Sequence, residues 1–131
     1  GITAELDANT EYYFVVEQSY NTGSYTLNIG SQKPTTDISA YTSVNDSTQF
    51  RSQRNIYEFT PSGTRKYRFE LSDVSKNTSF SFYLYNSSME QLNKSYGNNG
   101  DGITAELDAN KKYYFVVEQS YNTGSYTLNI G

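Results

Sequence analysis

Tyr83 and Tyr85 stand two residues apart in a run where Phe80, Phe82 and Leu84 take the alternate positions. If the latter three face a core, both tyrosines project from the opposite side, roughly 7 Å apart, because a strand rises about 3.3 Å per residue. Tyr114 has the same outward parity in a second run, where Tyr113, Phe115 and Val117 alternate with Tyr114, Val116 and Glu118. Phenol rings spaced this way can stack on sugar rings or cover an extended chain such as collagen, keeping their hydroxyls for hydrogen bonds. The same spacing also serves a cross-strand tyrosine ladder that stiffens a sheet, or packing against a neighbouring unit.

A second chemistry is the binding of a hard cation. Oxygen-bearing side chains gather at Asp37, at Asn45 and Asp46, at Asp73 and at 98–101, and calcium takes six to eight such ligands. Their spacing fits no EF-hand loop, and ordinary Asx turns use the same residue types. Catalysis finds little support. The chain contains neither His nor Cys, which removes the commonest general base and the strongest nucleophile. Its serines lack the G-x-S-x-G context. Glu58, Glu70, Glu106 and Glu118 fall on the polar sides of alternating runs, where solvated carboxylates are the default, so the expectation is a protein that is not an enzyme. A net charge of −4 with a pI near 4.7 argues against a nucleic-acid partner. No apolar run approaches the roughly 20 residues of a membrane-spanning helix, so no membrane insertion is expected.

The elements that must position these residues are strands. Tyr57 and Phe59 flank Glu58; Tyr67, Phe69 and Leu71 alternate with Lys66, Arg68 and Glu70; Ile103, Ala105 and Leu107 alternate with Thr104 and Glu106; Tyr126, Leu128 and Ile130 close the series. A weaker strand holds Leu92. Turn chemistry separates them: Pro61-Ser62-Gly63, Asn86-Ser87-Ser88, the Gly- and Asn-rich 96–102, Asp108-Ala109-Asn110 and Asn122-Thr123-Gly124. Six to eight short strands with inward Phe, Tyr, Leu and Ile predict an all-β fold, a jelly-roll-type antiparallel β-sandwich.

Repetition sets the domain boundaries. Residues 1–30 and 102–131 are the same segment at an offset of 101, differing only at Thr10/Lys111 and Glu11/Lys112. The reading is a tandem repeat unit of 101 residues: 1–30 as the C-terminal strands of a preceding repeat, 31–53 as an inter-repeat linker, 54–131 as the sandwich. Without its own partners the first segment would expose Tyr12, Phe14, Val16, Tyr25, Leu27 and Ile29, a hazard for aggregation and a candidate surface for assembly. It belongs either to a continuous array, whose preceding strands are supplied from outside this window, or to a swap in which chains exchange the C-terminal strands. The two-residue difference reads as drift at an exposed turn or as a charge that tunes contact between neighbours.

Residues 54–131 resemble the bacterial pre-peptidase C-terminal domain. The resemblance rests on Tyr57 and Phe59, on Tyr67, Phe69 and Leu71, on Leu84 and Tyr85, on the stretch 103–117 and on 124–130, in that order. It implies a small non-catalytic jelly roll appended to, or repeated within, secreted bacterial proteins, often hydrolases. It also implies that some members bind collagen or carbohydrate and use calcium near the leading linker, which singles out Asp37 and Asp46. The departure is the near-identical tandem copy and the absence of an attached peptidase in this sequence. Together these features predict a secreted or cell-surface structural and adhesive unit, a stalk or filament subunit. Its partners would be neighbouring repeats, copies of itself, polysaccharide or extracellular protein. The alternative is a carbohydrate- or collagen-binding accessory module of a secreted hydrolase.

Overall fold

The structure, a computed structural model, describes residues 1–30 and 33–131. Among these, nine strands form: β1 (Thr36–Asp37), β2 (Ser43–Ser47), β3 (Arg54–Phe59), β4 (Arg65–Ser72), β5 (Ser79–Asn86), β6 (Gln91–Tyr96), β7 (Gly102–Leu107), β8 (Tyr113–Tyr121) and β9 (Ser125–Ile130). They make a five-stranded sheet in the order β1-β3-β8-β5-β6 and a four-stranded sheet in the order β2-β9-β4-β7. All pairings are antiparallel except β1 with β3. With β1 set aside, the eight remaining strands have the strand order of a jelly roll.

Alternation drives the packing. Along β3, Tyr57 and Phe59 point inward; β4 contributes Tyr67, Phe69 and Leu71, β5 Phe80, Phe82 and Leu84, and β8 Phe115 and Val117. The two sheets meet at aromatic rings: Phe69 stacks on Phe115 at 3.5 Å between centroids, and Phe59 meets Tyr67 and Phe69 edge-on at 5.2 Å each. Such pairs add about 0.5–1.5 kcal/mol beyond the area they bury. Asn110 and Asn122 take positive φ (61° and 49°) in the turns that lead into and out of β8, a backbone region asparagine tolerates well.

The sandwich begins earlier than the sequence pattern predicts. Residues 31–53 are expected as a linker, yet they carry β1 and β2, and they bury Ile38, Thr48 and Gln53. The pattern is weak for a physical reason. β2 reads Ser-Val-Asn-Asp-Ser with one apolar residue and lies at a sheet edge, and β1 is two residues long.

Residues 1–30 form no strand and are exposed throughout. The same chemistry therefore exists in two environments. Phe115 is 0% exposed, whereas Phe14, its counterpart 101 positions earlier, is 57% exposed. Phe115→Ala is expected to cost about 3–5 kcal/mol, and Phe14→Ala to stay within about 0.5 kcal/mol. Urea unfolding of the two variants measures both, and equal losses would contradict this division of the chain.

Candidate functional site

The outer face of the five-stranded sheet gathers the predicted tyrosines. Tyr85 lies opposite Tyr114 and Tyr83 opposite Val116 across β5 and β8, while β3 sets Glu58 beside Tyr114 and Ile56 beside Val116. The Tyr83 and Tyr85 rings lie 6.2 Å apart, tilted by 32°. All three tyrosines are half-buried, and Val116 is 0% exposed although it sits on this outer face. The tyrosines and Ile56 are its neighbours on that face, so the row covers a small apolar patch and leaves ring area to solvent. Arg54 donates from Nη2 to the Tyr85 hydroxyl at 3.3 Å and pairs through Nε with Glu118 at 3.3 Å. On the neighbouring edge strand, Lys94 lies opposite Tyr83 and Tyr96 opposite Ser81. The arrangement brings the three tyrosines together on one half-exposed face.

Asp37 and Asp46 do not converge. Asp37, on the β1 edge, accepts from the Ser39 backbone N–H at 2.9 Å and from the Ser39 hydroxyl at 2.6 Å. Those hydrogen bonds hold its carboxyl below the usual aspartate range, with the charge of Lys112 adding a little. Asp46 lies on β2 in the other sheet, bonded to the Lys33 ammonium and, through Oδ2, to the Tyr57 hydroxyl at 2.6 Å. Asp73 and Asp101 are used locally, accepting from Thr127 at 3.3 Å and from the Asn98 N–H at 3.2 Å. Among the described residues no three acidic side chains gather as a cation site.

Asp46 belongs instead to a buried polar network that sequence reasoning missed. The Tyr57 and Tyr126 hydroxyls are hydrogen-bonded to one another. Asn55 donates from Nδ2 to the Tyr126 hydroxyl at 2.7 Å and to the Ser47 carbonyl at 3.1 Å. Gln53 donates to Asn55 at 2.7 Å and accepts the Gln49 N–H at 2.7 Å. Because the Tyr57 proton goes to Asp46, Tyr126 must donate to Tyr57. The donors therefore run in one direction, Asn55 to Tyr126 to Tyr57, and end on the carboxylate. Beside this chain Thr48 donates to Gln119, whose Nε2 reaches the Ser79 carbonyl at 3.2 Å and the Tyr121 carbonyl at 2.6 Å. The signal was present in the alternation: Gln53 and Asn55 continue the inward parity of Tyr57 and Phe59, and Gln119 continues that of Phe115 and Val117.

The candidate assembly residues Tyr12, Phe14, Val16, Tyr25, Leu27 and Ile29 are all exposed, whereas Tyr113, Phe115, Val117, Tyr126 and Leu128 at the matching positions are buried. Residues 1–30 nevertheless keep the local geometry of 102–131. The Asp7 N–H donates to the Tyr12 hydroxyl at 3.0 Å, as the Asp108 N–H does to Tyr113 at 3.1 Å. Gln18 bonds the Tyr20 carbonyl as Gln119 bonds Tyr121. Asn9 and Asn21 take φ of 57° and 43° at the positions of Asn110 and Asn122. The segment thus keeps the turn contacts of 102–131 without forming its strands.

No protein-family model matches the sequence, and no curated protein matches it. Solved structures do. The pre-peptidase C-terminal domain of collagenase from Bacillus anthracis superposes with a TM-score of 0.60 at 15% identity, over 79% of this chain and 100% of that one. PliG of Aeromonas hydrophila, a periplasmic inhibitor of g-type lysozyme, gives a TM-score of 0.54 at 14% identity, over 74% of this chain and 94% of that one. At such identities the likeness is one of fold, and in fold the resemblance to the pre-peptidase C-terminal domain holds.

The tyrosine network sets an alkaline limit. Burial, with Asp46 and the partner phenol alongside, pushes Tyr57 far above the ordinary tyrosine range, and burial pushes Tyr126 in the same direction. In the unfolded chain both phenols ionise near 10, so above that pH the folded state holds protons the unfolded state has lost. Stability is therefore full below about pH 10 and falls beyond it, by about 1.4 kcal/mol per pH unit for each phenol. Tyrosinate absorbance followed together with urea unfolding should show Tyr57 and Tyr126 ionising only as the fold opens. Ionisation of all 14 tyrosines near pH 10 in an intact fold would contradict the network.

Proposed function

We propose that this chain is a non-catalytic spacer and adhesive unit of a secreted or cell-surface protein, built to stand in a line of like units. The observation that carries the proposal is the placement of the last residue of each copy of the repeated segment, Gly30 and Gly131. Gly30 packs against the ring of Phe50, three residues past the end of β2. Gly131 exchanges backbone hydrogen bonds with Arg68 at 2.8 and 2.9 Å, and its neighbour Ile130 donates to Thr42 at 2.8 Å, just before the start of β2. The chain thus arrives at one end of β2 and leaves at the other. A unit with that polarity, repeated, extends rather than clusters, and each copy adds its weak contacts to the next.

The test is a chain lengthened by one and then two further copies of residues 31–131, measured by small-angle scattering. The maximum dimension should grow by a constant increment per unit, roughly 25–40 Å for strands of eight or so residues plus a junction. Growth at constant shape, as of a compact cluster, would remove the spacer role.

A second reading is favoured by the tyrosine row and by the likeness to a domain of a collagenase. Here the unit is an accessory module that holds polysaccharide or an extended extracellular protein against Tyr83, Tyr85 and Tyr114. Binding screens on glycans and collagen peptides should then lose at least tenfold in affinity on Tyr83→Ala/Tyr85→Ala, since each ring supplies stacking of this order. Binding that survives the double variant would place the ligand elsewhere.

A further inference from the structure

The two copies of the thirty-residue segment differ at two positions, and the structure shows what those positions touch. Lys112 Nζ lies 3.4 Å from Glu58 Oε1, and Lys111 Nζ lies 2.9 Å from Asp108 Oδ2. Glu58 is itself the register partner of Asp37 on β1, so Lys112 serves an edge that carries two carboxylates. Its charge also helps keep Asp37 ionised. In residues 1–30 the position of Lys112 is Glu11 and that of Lys111 is Thr10. Placed in the same slot, Glu11 would bring a third carboxylate to Glu58 and Asp37, and Thr10 would offer Asp7 no ammonium.

Every inward-facing residue is the same in both segments. Apolar packing therefore cannot tell one from the other, and neither can the turns, which are already formed alike in both. Beyond chain connectivity, which ties 102–131 to β6 through the short loop 97–101, the charge at this turn is what remains to discriminate. We propose that Lys111 and Lys112 sort the two segments: they admit residues 102–131 to the slot bounded by Glu58, while Thr10 and Glu11 direct residues 1–30 to another body of this fold. That body is a copy of the β1 to β6 scaffold whose residue at the position of Glu58 is neutral or basic. The occupant follows from the sequence, because a surface that fits β7 to β9 fits residues 1–30 at 28 of 30 positions. The sorting concerns which segment fills a slot, and it stands whether or not the units form a stalk.

The chain has no cysteine, so engineered disulfides can report slot occupancy. Arg54 lies opposite Glu118 in the β3 and β8 register, and Glu17 is the counterpart of Glu118. Arg54→Cys with Glu118→Cys reports the C-terminal segment in the slot; Arg54→Cys with Glu17→Cys reports the N-terminal one, within a chain or between chains. Under a thiol-disulfide buffer the 54–17 crosslink should be minor. It should rise roughly threefold to thirtyfold when Lys111→Thr/Lys112→Glu makes the copies alike, the range expected for a few exposed charge pairs. Glu58→Lys should raise it comparably without touching either segment, and so keeps the test decisive if the first variant fails to fold. Added salt should shrink the charge effect in both backgrounds. A 54–17 yield unchanged by both sets of substitutions would overturn the proposal.

Discussion

β8 is the strand on which the other elements depend. It is hydrogen-bonded along both edges, to β3 on one side and β5 on the other. It buries Phe115, Val117 and Gln119 against the facing sheet, and Val116 beneath the outer tyrosine row. A strand covered on both faces and paired on both edges has no freedom of register, since a slip of one residue would exchange its two sets of side chains. Phe69 stacks on Phe115 across the interior, so the second sheet is also located from this strand. The body formed by β1 to β6 has one position for it, and the chain carries two segments that could supply it.

The interior on either side of β8 is not uniform. At one end aromatic rings fill the space between the sheets. At the other, beyond Tyr57, the inward positions of β3 become Asn55 and Gln53, with Thr48 and Gln119 opposite. Buried polar groups are tolerable only when paired, because each unsatisfied one costs about 1–3 kcal/mol. Here the donors line up toward Asp46, and Lys33 balances the charge that results. Hydrogen bonds are directional where apolar contacts are not, so this end is fixed in geometry as well as in composition. It is also the end where the preceding segment arrives, with Gly30 against Phe50. The directional polar seam and the glycine-to-aromatic contact together hold this end of the sandwich in one geometry.

The strands were legible in the sequence wherever alternation was strong, and the outward parity of Tyr83, Tyr85 and Tyr114 followed from it. β2 was not, because an edge strand needs only one inward apolar residue, Val44, and its remaining side chains are polar. β1 is held by Ile38, whose backbone N–H donates to the Glu58 carbonyl at 2.8 Å and whose side chain is buried. That contact is long-range and leaves no local periodicity. The network around Asp46 was hidden for a different reason. Gln53, Asn55 and Gln119 obey the inward parity, but polar residues at inward positions read as strand ends unless their partners are known. Those partners come from β2 and β9, far away in the chain. The acidic positions were read for cation chemistry because oxygen clusters are visible in sequence, whereas a phenol that claims one of those oxygens is not.

Near-identical repeats meet a problem that divergent ones avoid. When two segments share every core residue, the correct and the exchanged structures bury the same surface, and the large terms of folding cancel from their difference. Specificity is a difference of free energies, so it then falls to whatever small terms remain. An exposed ion pair adds little to the stability of one fold, typically below about 1 kcal/mol. The same quantity decides between two otherwise equal occupants, because a few such contributions shift their ratio severalfold or more. That is the physical reason to look for function at Lys111 and Lys112, in a turn where a change of charge leaves the interior untouched. The repulsive half of the device matters as much as the attractive half: Glu11 facing Glu58 and Asp37 penalises the wrong segment, which Lys112 paired with Glu58 could not do alone. A chain that carries a thirty-residue near-copy of its own β7 to β9 can separate the two by charge where core packing does not distinguish them.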